Sequence, residues 1–301
     1  MSALPPTEGR QSESAGLDLL DTRELVDLLV RDQAQAAAAV RTQTSVLASA
    51  VEGIVARIRA GGRLHYIGSG TSGRLAVLDA SEMPPTFGTS PDLVCAHIAG
   101  GDSALRTAIE GAEDDAGAGE AAIEGHVTSG DAVVGVSASG GARYVVAALE
   151  RARVIGALTV AITSSDNSAL VSAAQLAIVL PTGAEALSGS TRLKAGTAEK
   201  MLLNSFSTAL MVRDGRTYSN LMVRLSPLNA KLRSRQIRIL VQATGASEQD
   251  SEAALAQAGG DLPVALVALL AGADTATART ALSEARGVVR PAVDRLRDGQ
   301  N

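Results

Sequence analysis

The chain is poor in aromatic residues. Its 301 residues include no Trp, two Phe and three Tyr. Platforms for single-stranded nucleic acid stack bases on aromatic side chains, so that class is excluded. The net charge is −5, without a long basic run, so the electrostatic footprint of a nucleic-acid binder is missing too. Cysteine is as scarce: Cys95, in the apolar run LVCAHIA, is the only one. No disulfide can form within the chain, which fits a reducing compartment. The Cys95 side chain reads as a buried small hydrophobe. Three histidines, His65, His97 and His126, are scattered, and no Cys/His/Asp grouping has metal-ligand spacing, so no metal is expected. No nucleophile–His–acid arrangement is visible either. No uncharged apolar run reaches the roughly 18 residues of a membrane span, and residues 1–16 lack the apolar core of a signal peptide. A cytoplasmic location is expected.

What the chain does have is small aliphatic residues. Hydrophobic residues make up 46 %, mostly Ala, Val and Leu, enough for a sizeable core. Residues 1–16 are polar, with Pro5-Pro6, and read as a disordered lead-in. From Thr22 to about Arg59 apolar residues recur at helical spacing, and Gly61-Gly62 closes the run as a C-cap does. Five apolar, β-branched runs follow: Leu64–Ile67, Leu93–Ile98, Ala132–Val136, Ile155–Ile162 and Leu176–Leu180. Continuous apolar runs separated by helical segments predict strands buried on both faces of a parallel sheet. The expected fold class is α/β, a three-layer doubly wound parallel five-stranded sheet preceded by N-terminal helices. Further helices are expected from near Thr191 to about Val212 and from Asn229 to Leu240. After the Thr244-Gly245 break, SEQDSEAALAQAGG, LPVALVALLAG and TATARTALSEARGVVRPAVDRL read as three short amphipathic helices. The expected organisation is a lead-in at 1–16, an α/β domain at 17–240 and a small helical domain at 241–301.

Ligands of such a sheet sit beyond the carboxyl ends of the strands. Two Gly/Ser-rich segments fall there. The first is Gly68-Ser69-Gly70-Thr71-Ser72-Gly73, which turns directly into a helix. Backbone N–H groups and hydroxyls at a helix N-terminus favour an anion. No Lys-Ser/Thr follows, so it is not a Walker loop. The G-x-G-x-x-G spacing alone is weak, and the acidic residue that a dinucleotide loop wants at the next strand end is missing. The second segment is Ser137-Ala138-Ser139-Gly140-Gly141. Two such loops at neighbouring strand ends can converge on one phosphate.

Carboxylates come next. Glu82 precedes Met83-Pro84-Pro85, where the prolines predict that the helix stops and the backbone stiffens. Glu110, Glu113, Asp114 and Asp115 cluster in IEGAEDDAG, read as the end of the helix after the second strand. Acid/base chemistry needs two groups held at different pKa values, and Glu82 with one of this cluster makes a natural pair. Bottom-up, either member can be acid or base, and a solvated acidic helix end explains the cluster equally well. A third segment, Ser188-Gly189-Ser190-Thr191-Arg192-Leu193-Lys194, leads into a helix with cations in its first turn. The helix dipole disfavours cations there, so a compensating anion is expected, either substrate or a neighbouring carboxylate.

On YIGSGTSGRLAVLDASEMPPTFG, IAGGDSALRTAIEGAEDD, SGSTRLKAGTAEKMLLNSFSTALMV and SNLMV followed by NAKLRSRQIRI, the chain resembles the N-acetylmuramic acid 6-phosphate etherases of the sugar isomerase (SIS) fold superfamily. The resemblance covers about residues 17 to 300. It implies a carbon–oxygen lyase that cleaves the C3 lactyl ether by elimination and water addition, giving N-acetylglucosamine 6-phosphate and D-lactate in cell-wall amino-sugar recycling. It implies Glu82 as the acid that protonates lactate and Glu113 as the base at C2. Substrate-binding residues carried over or read from the loops are Gly70, Thr71, Ser72, Gly73, Ser137, Ser139, Gly140, Ser190, Thr191 and Lys194. No cofactor is implied, and a homodimer is. The family's second loop commonly reads ASGRTPYV, whereas here Gly141, Ala142 and Arg143 follow Ser139-Gly140 and the Pro is missing. Two other readings stand beside it: a non-catalytic sugar-phosphate sensor, which shares this motif set, and an aldose–ketose phosphate isomerase on the same fold.

Overall fold

The computed structural model describes residues 5–225 and 230–298. Residues 1–4 of the expected lead-in, the expected helix start at Asn229 and the last three residues lie outside them. The chain packs as two compact units. One runs to Ser81 and resumes over Asp92–Thr208; the other joins Glu82–Pro91 to the residues from Ala209 onward.

The first unit begins with an ordered segment, where composition predicted disorder. Residues 6–8 and 12–14 form short 3-10 turns and Thr7 is fully buried. Gln11 Nε2 donates to Asp32 Oδ1 at 2.9 Å and Ser188 Oγ to the Gly9 carbonyl at 3.2 Å. Polar composition argues for disorder only while polar groups have water as their best partner; here a buried carboxylate supplies one. The helical stretch that follows divides into α1 (Thr22–Gln33), α2 (Gln35–Thr42) and α3 (Thr44–Arg59). Asp21 and Glu24 form a reciprocal capping box on α1. Gly61 N bonds the Ile58 carbonyl and Gly62 N that of Arg57, the Schellman pattern that ends α3.

Strands and helices then alternate: β1 (Leu64–Gly68), α4 (Gly70–Phe87), β2 (Val94–Ile98), α5 (Ala116–Ile123), β3 (Ala132–Val136), α6 (Arg143–Ile155), β4 (Leu158–Thr163), α7 (Ala169–Ala173), β5 (Leu176–Val179) and α8 (Lys194–Arg213). All five expected strands form. The fourth starts later than predicted, because Ile155 is the last residue of α6 and the left-handed Gly156 separates helix from strand. Every neighbouring pair is parallel and the order is β2-β1-β3-β4-β5, so the winding direction reverses between β1 and β3.

Strand alternation shows the three layers. Ile67, Val133 and Ala161 share a core with Ala148 and Leu149 of α6 and Ile123 of α5. The opposite face carries Leu158, which closes on Gly53 of α3, and Tyr66, whose ring lies 6.3 Å from that of Phe206 on α8. Buried Asp79 on α4 accepts from Tyr66 Oη at 2.9 Å and Ser207 Oγ at 3.0 Å, tying β1, α4 and α8 together.

The second unit contains α9 (Ala230–Thr244), α10 (Glu248–Gln257), α11 (Leu262–Ala271), α12 (Thr275–Glu284) and α13 (Val289–Asp298). The last predicted helix is thus two. Arg286 and Gly287 both have positive φ, and Arg224 Nη2 donates to the Gly287 carbonyl at 2.7 Å, which fixes the break. Helix α11 is apolar all round instead of amphipathic, and Leu262, Val264, Ala265, Leu266 and Val267 are buried together. Residues of α9, α12 and α13 complete that core. Side chains of Ser247, Asp261 and Asp274 cap α10, α11 and α12.

Candidate functional site

The loop after β1 is shaped by a close approach. At Gly73 a Cβ would lie 2.7 Å from Ile98 Cγ1 and 2.9 Å from the Gly68 carbonyl oxygen. Only glycine lets the first turn of α4 sit this tightly on the end of β1. Gly70 is exposed, Thr71 half-buried and Ser72 buried. Ser72 Oγ donates to Glu199 Oε1 at 3.0 Å. Glu199, on α8, is 1 % exposed, and burial pushes its carboxyl up to about 8 against the ordinary 4.5, so it is neutral at pH 7. A neutral acid behind the loop spares a bound anion the repulsion that a carboxylate would exert.

The loop after β3 emerges alongside, since β1 and β3 pair with Gly68 opposite Val136. Gly140 has φ +68°, and a Cβ there would fall 2.2 Å from Ser168 Oγ. Gly140 N donates to both the Ser137 carbonyl (3.0 Å) and Ser137 Oγ (3.2 Å), and Gly141 N donates to Ser139 Oγ at 3.3 Å. Thr163 Oγ1 and Ser164 N both donate to the Ala138 carbonyl, knitting this loop to the end of β4. Arg143 is exposed at the start of α6.

The third segment reaches the first loop through α8, where a Cβ on Gly196 would lie 3.4 Å from Thr71 Cγ2. Ser190 and Thr191 are half-buried in the turn before it. The helix starts at Lys194, and its anion is a carboxylate: Glu185, fully buried, accepts from Lys194 N and Ala195 N, each at 2.9 Å. Lys194, expected to bind substrate, has its ammonium committed elsewhere. Its Nζ lies 2.8 Å from Asp32 Oδ1, and both side chains are buried. The reason lies in the fold: Asp32 on α1 is an otherwise uncompensated buried charge, and Lys194 neutralises it.

Glu113 lies not at a helix end but in a 3-10 turn (112–114) that precedes α5, whose N-cap is Asp115. Glycines at 100, 101 and 111, all with positive φ, break the chain where periodicity had predicted a continuous helix. The turn places Glu113 across from the first loop. Ser69, Gly70, Arg74, Glu110 and Glu113 line a cleft of about 190 Å³. Arg74, not singled out by sequence, donates Nε to the Leu105 carbonyl at 3.3 Å. Its signal was available: a cation in the first turns of a helix that opens on an anion loop.

Glu82 belongs to the second unit and is exposed. Contrary to the predicted stop, α4 continues through Pro84 and Pro85 to Phe87. Both prolines fall in the last turn, where their fixed φ is still helical, and Gly88 N closes on the Pro84 carbonyl at 2.9 Å. Arg216 Nη1 donates to the carbonyls of Phe87 and Gly88, anchoring the segment.

The histidines form an array of their own. His65 Nδ1 and His97 Nε2 are 3.1 Å apart with stacked rings, and burial holds His65 down to about 4. Cys95 is half-buried where a buried side chain was expected; its Sγ contacts the Asp92 carbonyl at 3.4 Å, and desolvation raises its thiol. Among the described residues no single helix is long and apolar enough to cross a membrane.

Residues 46–153 match the Glucokinase regulatory protein N-terminal SIS domain, and residues 115–209 match the SIS domain. A phosphoheptose isomerase from Francisella tularensis shares the fold, with a TM-score of 0.52 and 16 % identity over 64 % of this chain and 100 % of that one. The N-acetylmuramic acid 6-phosphate etherase of Symbiobacterium thermophilum is 52 % identical over 266 residues, 88 % of this chain and 89 % of that protein. That of Thermobifida fusca is 52 % identical over 265 residues, 88 % and 87 % of the two chains. With that identity along nearly the whole of both sequences, the chain belongs to the N-acetylmuramic acid 6-phosphate etherase family.

Proposed function

We propose that this protein is itself an N-acetylmuramic acid 6-phosphate etherase, a carbon–oxygen lyase of the hydro-lyase type that acts in the cytoplasm as a homodimer. The observation that carries the reading is the 52 % identity with relatives of that name over most of both chains. The loops after β1 and β3, side by side at the point where the winding reverses, support a phosphate subsite. The loop residues Gly70, Thr71, Ser72, Gly73, Ser137, Ser139 and Gly140 form the phosphate subsite, with Ser190 and Thr191 beside them.

The open-chain aldehyde makes the C2 proton acidic. Glu113 takes that proton, the C2–C3 double bond forms, and the C3–oxygen bond breaks. Glu82 delivers a proton to the departing lactate oxygen. Water then adds across the double bond: hydroxide at C3, a proton at C2. The products are N-acetylglucosamine 6-phosphate and D-lactate, with no net oxidation. Each proton transfer by a placed carboxyl is worth about 10²–10⁴ in rate.

The test is release of D-lactate from N-acetylmuramic acid 6-phosphate in the presence of EDTA, by the intact protein and by Glu82→Ala and Glu113→Ala. Release that needs both carboxylates supports the reading. Sugar-phosphate binding without lactate overturns it in favour of a sensor or an isomerase.

A further inference from the structure

The cleft at Glu113 is small. Its volume of about 190 Å³ falls below the roughly 300–1,000 Å³ of ordinary small-molecule sites, so it takes part of a sugar phosphate and not all of it. Its lining is mixed in chemistry. Ala104, Ala108 and Ile109 are apolar, Glu110 and Glu113 are acidic, and Arg74 is the cation among the lining residues. The Arg74 side chain is half-buried, and its Nε is used within the protein on the Leu105 carbonyl. The Nη1/Nη2 pair is the part of the guanidinium that fits a carboxylate two-pronged.

The substrate of the proposed reaction narrows what enters. If Glu113 takes the proton from C2, the lactyl group on C3 is one carbon away and enters the same cleft. That group consists of an ether oxygen, a methyl and a carboxylate. The apolar lining residues suit the methyl. A carboxylate entering beside two glutamates needs a cation.

We propose that Arg74 recognises the carboxylate of the departing lactyl group, and so makes the site specific for the ether over sugar phosphates that lack it. This rests on the etherase reading. Arg74 holds the lactyl group with its ether oxygen away from Glu113, and retains the carboxylate while the C3–oxygen bond breaks. Acidic residues on the cleft discourage anions in general; the two-pronged pairing with Arg74 admits the correct one.

The experiment compares Arg74→Met and Arg74→Lys with the wild type on two ligands. One is N-acetylmuramic acid 6-phosphate, read as kcat/KM for lactate release. The other is N-acetylglucosamine 6-phosphate, which has no lactyl group, read as Kd and as exchange of its C2 hydrogen in deuterium oxide. Arg74→Met is expected to lower kcat/KM about ten- to a hundred-fold, the range for a charge-assisted bond, with Kd and exchange on the lactyl-free sugar unchanged. Arg74→Lys, which keeps the charge but not the fork, is expected to fall between. Equal losses on both ligands in Arg74→Lys would assign Arg74 to the phosphate or to the fold and overturn the proposal. So would an unchanged kcat/KM in Arg74→Met. A wild type that binds the lactyl-free sugar but releases no lactate overturns the etherase reading itself, before any variant is compared.

Discussion

Glu199 offers the sharpest test of the electrostatics behind the first loop. Its carboxyl is fully buried, Oε1 accepts from Ser72 Oγ, and Oε2 has no hydrogen-bond partner among the described residues. Burial raises it from 4.5 to about 8. Below about pH 4.5 the carboxyl is protonated in folded and unfolded chains alike, and it has no effect on the pH dependence of stability. Between 4.5 and about 8 the unfolded chain releases the proton and the folded chain keeps it, so stability falls as pH rises; above about 8 the loss is complete. A shift of roughly 3.5 units at 1.36 kcal/mol each puts the full loss at no more than about 5 kcal/mol. Glu199→Gln keeps the shape and the Ser72 bond but cannot ionise. Urea denaturation of both proteins from pH 4.5 to 9 measures the difference, in which every other titrating group cancels. The variant should gain on the wild type steadily with pH, by several kcal/mol at pH 8. The KM for sugar phosphate should also climb above about pH 8 in the wild type and stay flat in the variant, because an ionised Glu199 sets a buried negative charge behind the phosphate loop. Parallel stability curves would refute the reasoning: the carboxyl would then be ionised within the fold.

Other predictions concern packing and buried charge. Gly73→Ala drives a Cβ against both Ile98 and the Gly68 backbone; a loss of about 1–3 kcal/mol by denaturant melting is expected, with weakened phosphate binding, and Ile98→Val should not rescue it because the backbone clash remains. Lys194→Met should destabilise by about 3–5 kcal/mol by leaving Asp32 buried and unpaired; adding Asp32→Asn should recover a large part of that, and a double-mutant cycle reads the coupling. His65, held down to about 4 against an ordinary 6.5, should make stability decline as pH falls from 6.5 through 4. His65→Gln should flatten that acid limb in pH-dependent thermal melts.

The five strands were legible because a strand buried on both faces is a continuous apolar run, and Gly-rich turns bounded most of them. Where an apolar helix end ran into a strand, at Ile155, the run blurred the boundary, and the turn depended on one residue, Gly156. The breaks at Ala34 and Gln43 carry no Gly or Pro and left no mark in the periodicity. Pro84-Pro85 misled in the other direction, since a proline in a last turn costs less than one in a helix interior. In the site, the two loops were visible because their glycines answer local needs. The commitment of Lys194 to Asp32 was not, because the two residues are 162 positions apart. Arg74 carries a sequence signal in its place at the start of α4, but only the fold brings Glu110 and Glu113 to the same cleft.

The segment Glu82–Pro91 has a consequence for how the protein is made. It belongs with residues from Ala209 onward, yet the whole of Asp92–Thr208 is synthesised in between. At about 5–20 residues per second on the ribosome, that interval is on the order of ten seconds. Throughout it Met83 and Phe87, both buried in the finished protein, belong to a unit whose remaining residues are not yet translated. The αβ sheet can close first, with its anion loops complete. The carboxylate assigned to the leaving group gains its final surroundings only once the last helices have left the ribosome. Premature termination after Thr208 would therefore yield a chain with its sheet and phosphate loops but without the unit that houses Glu82.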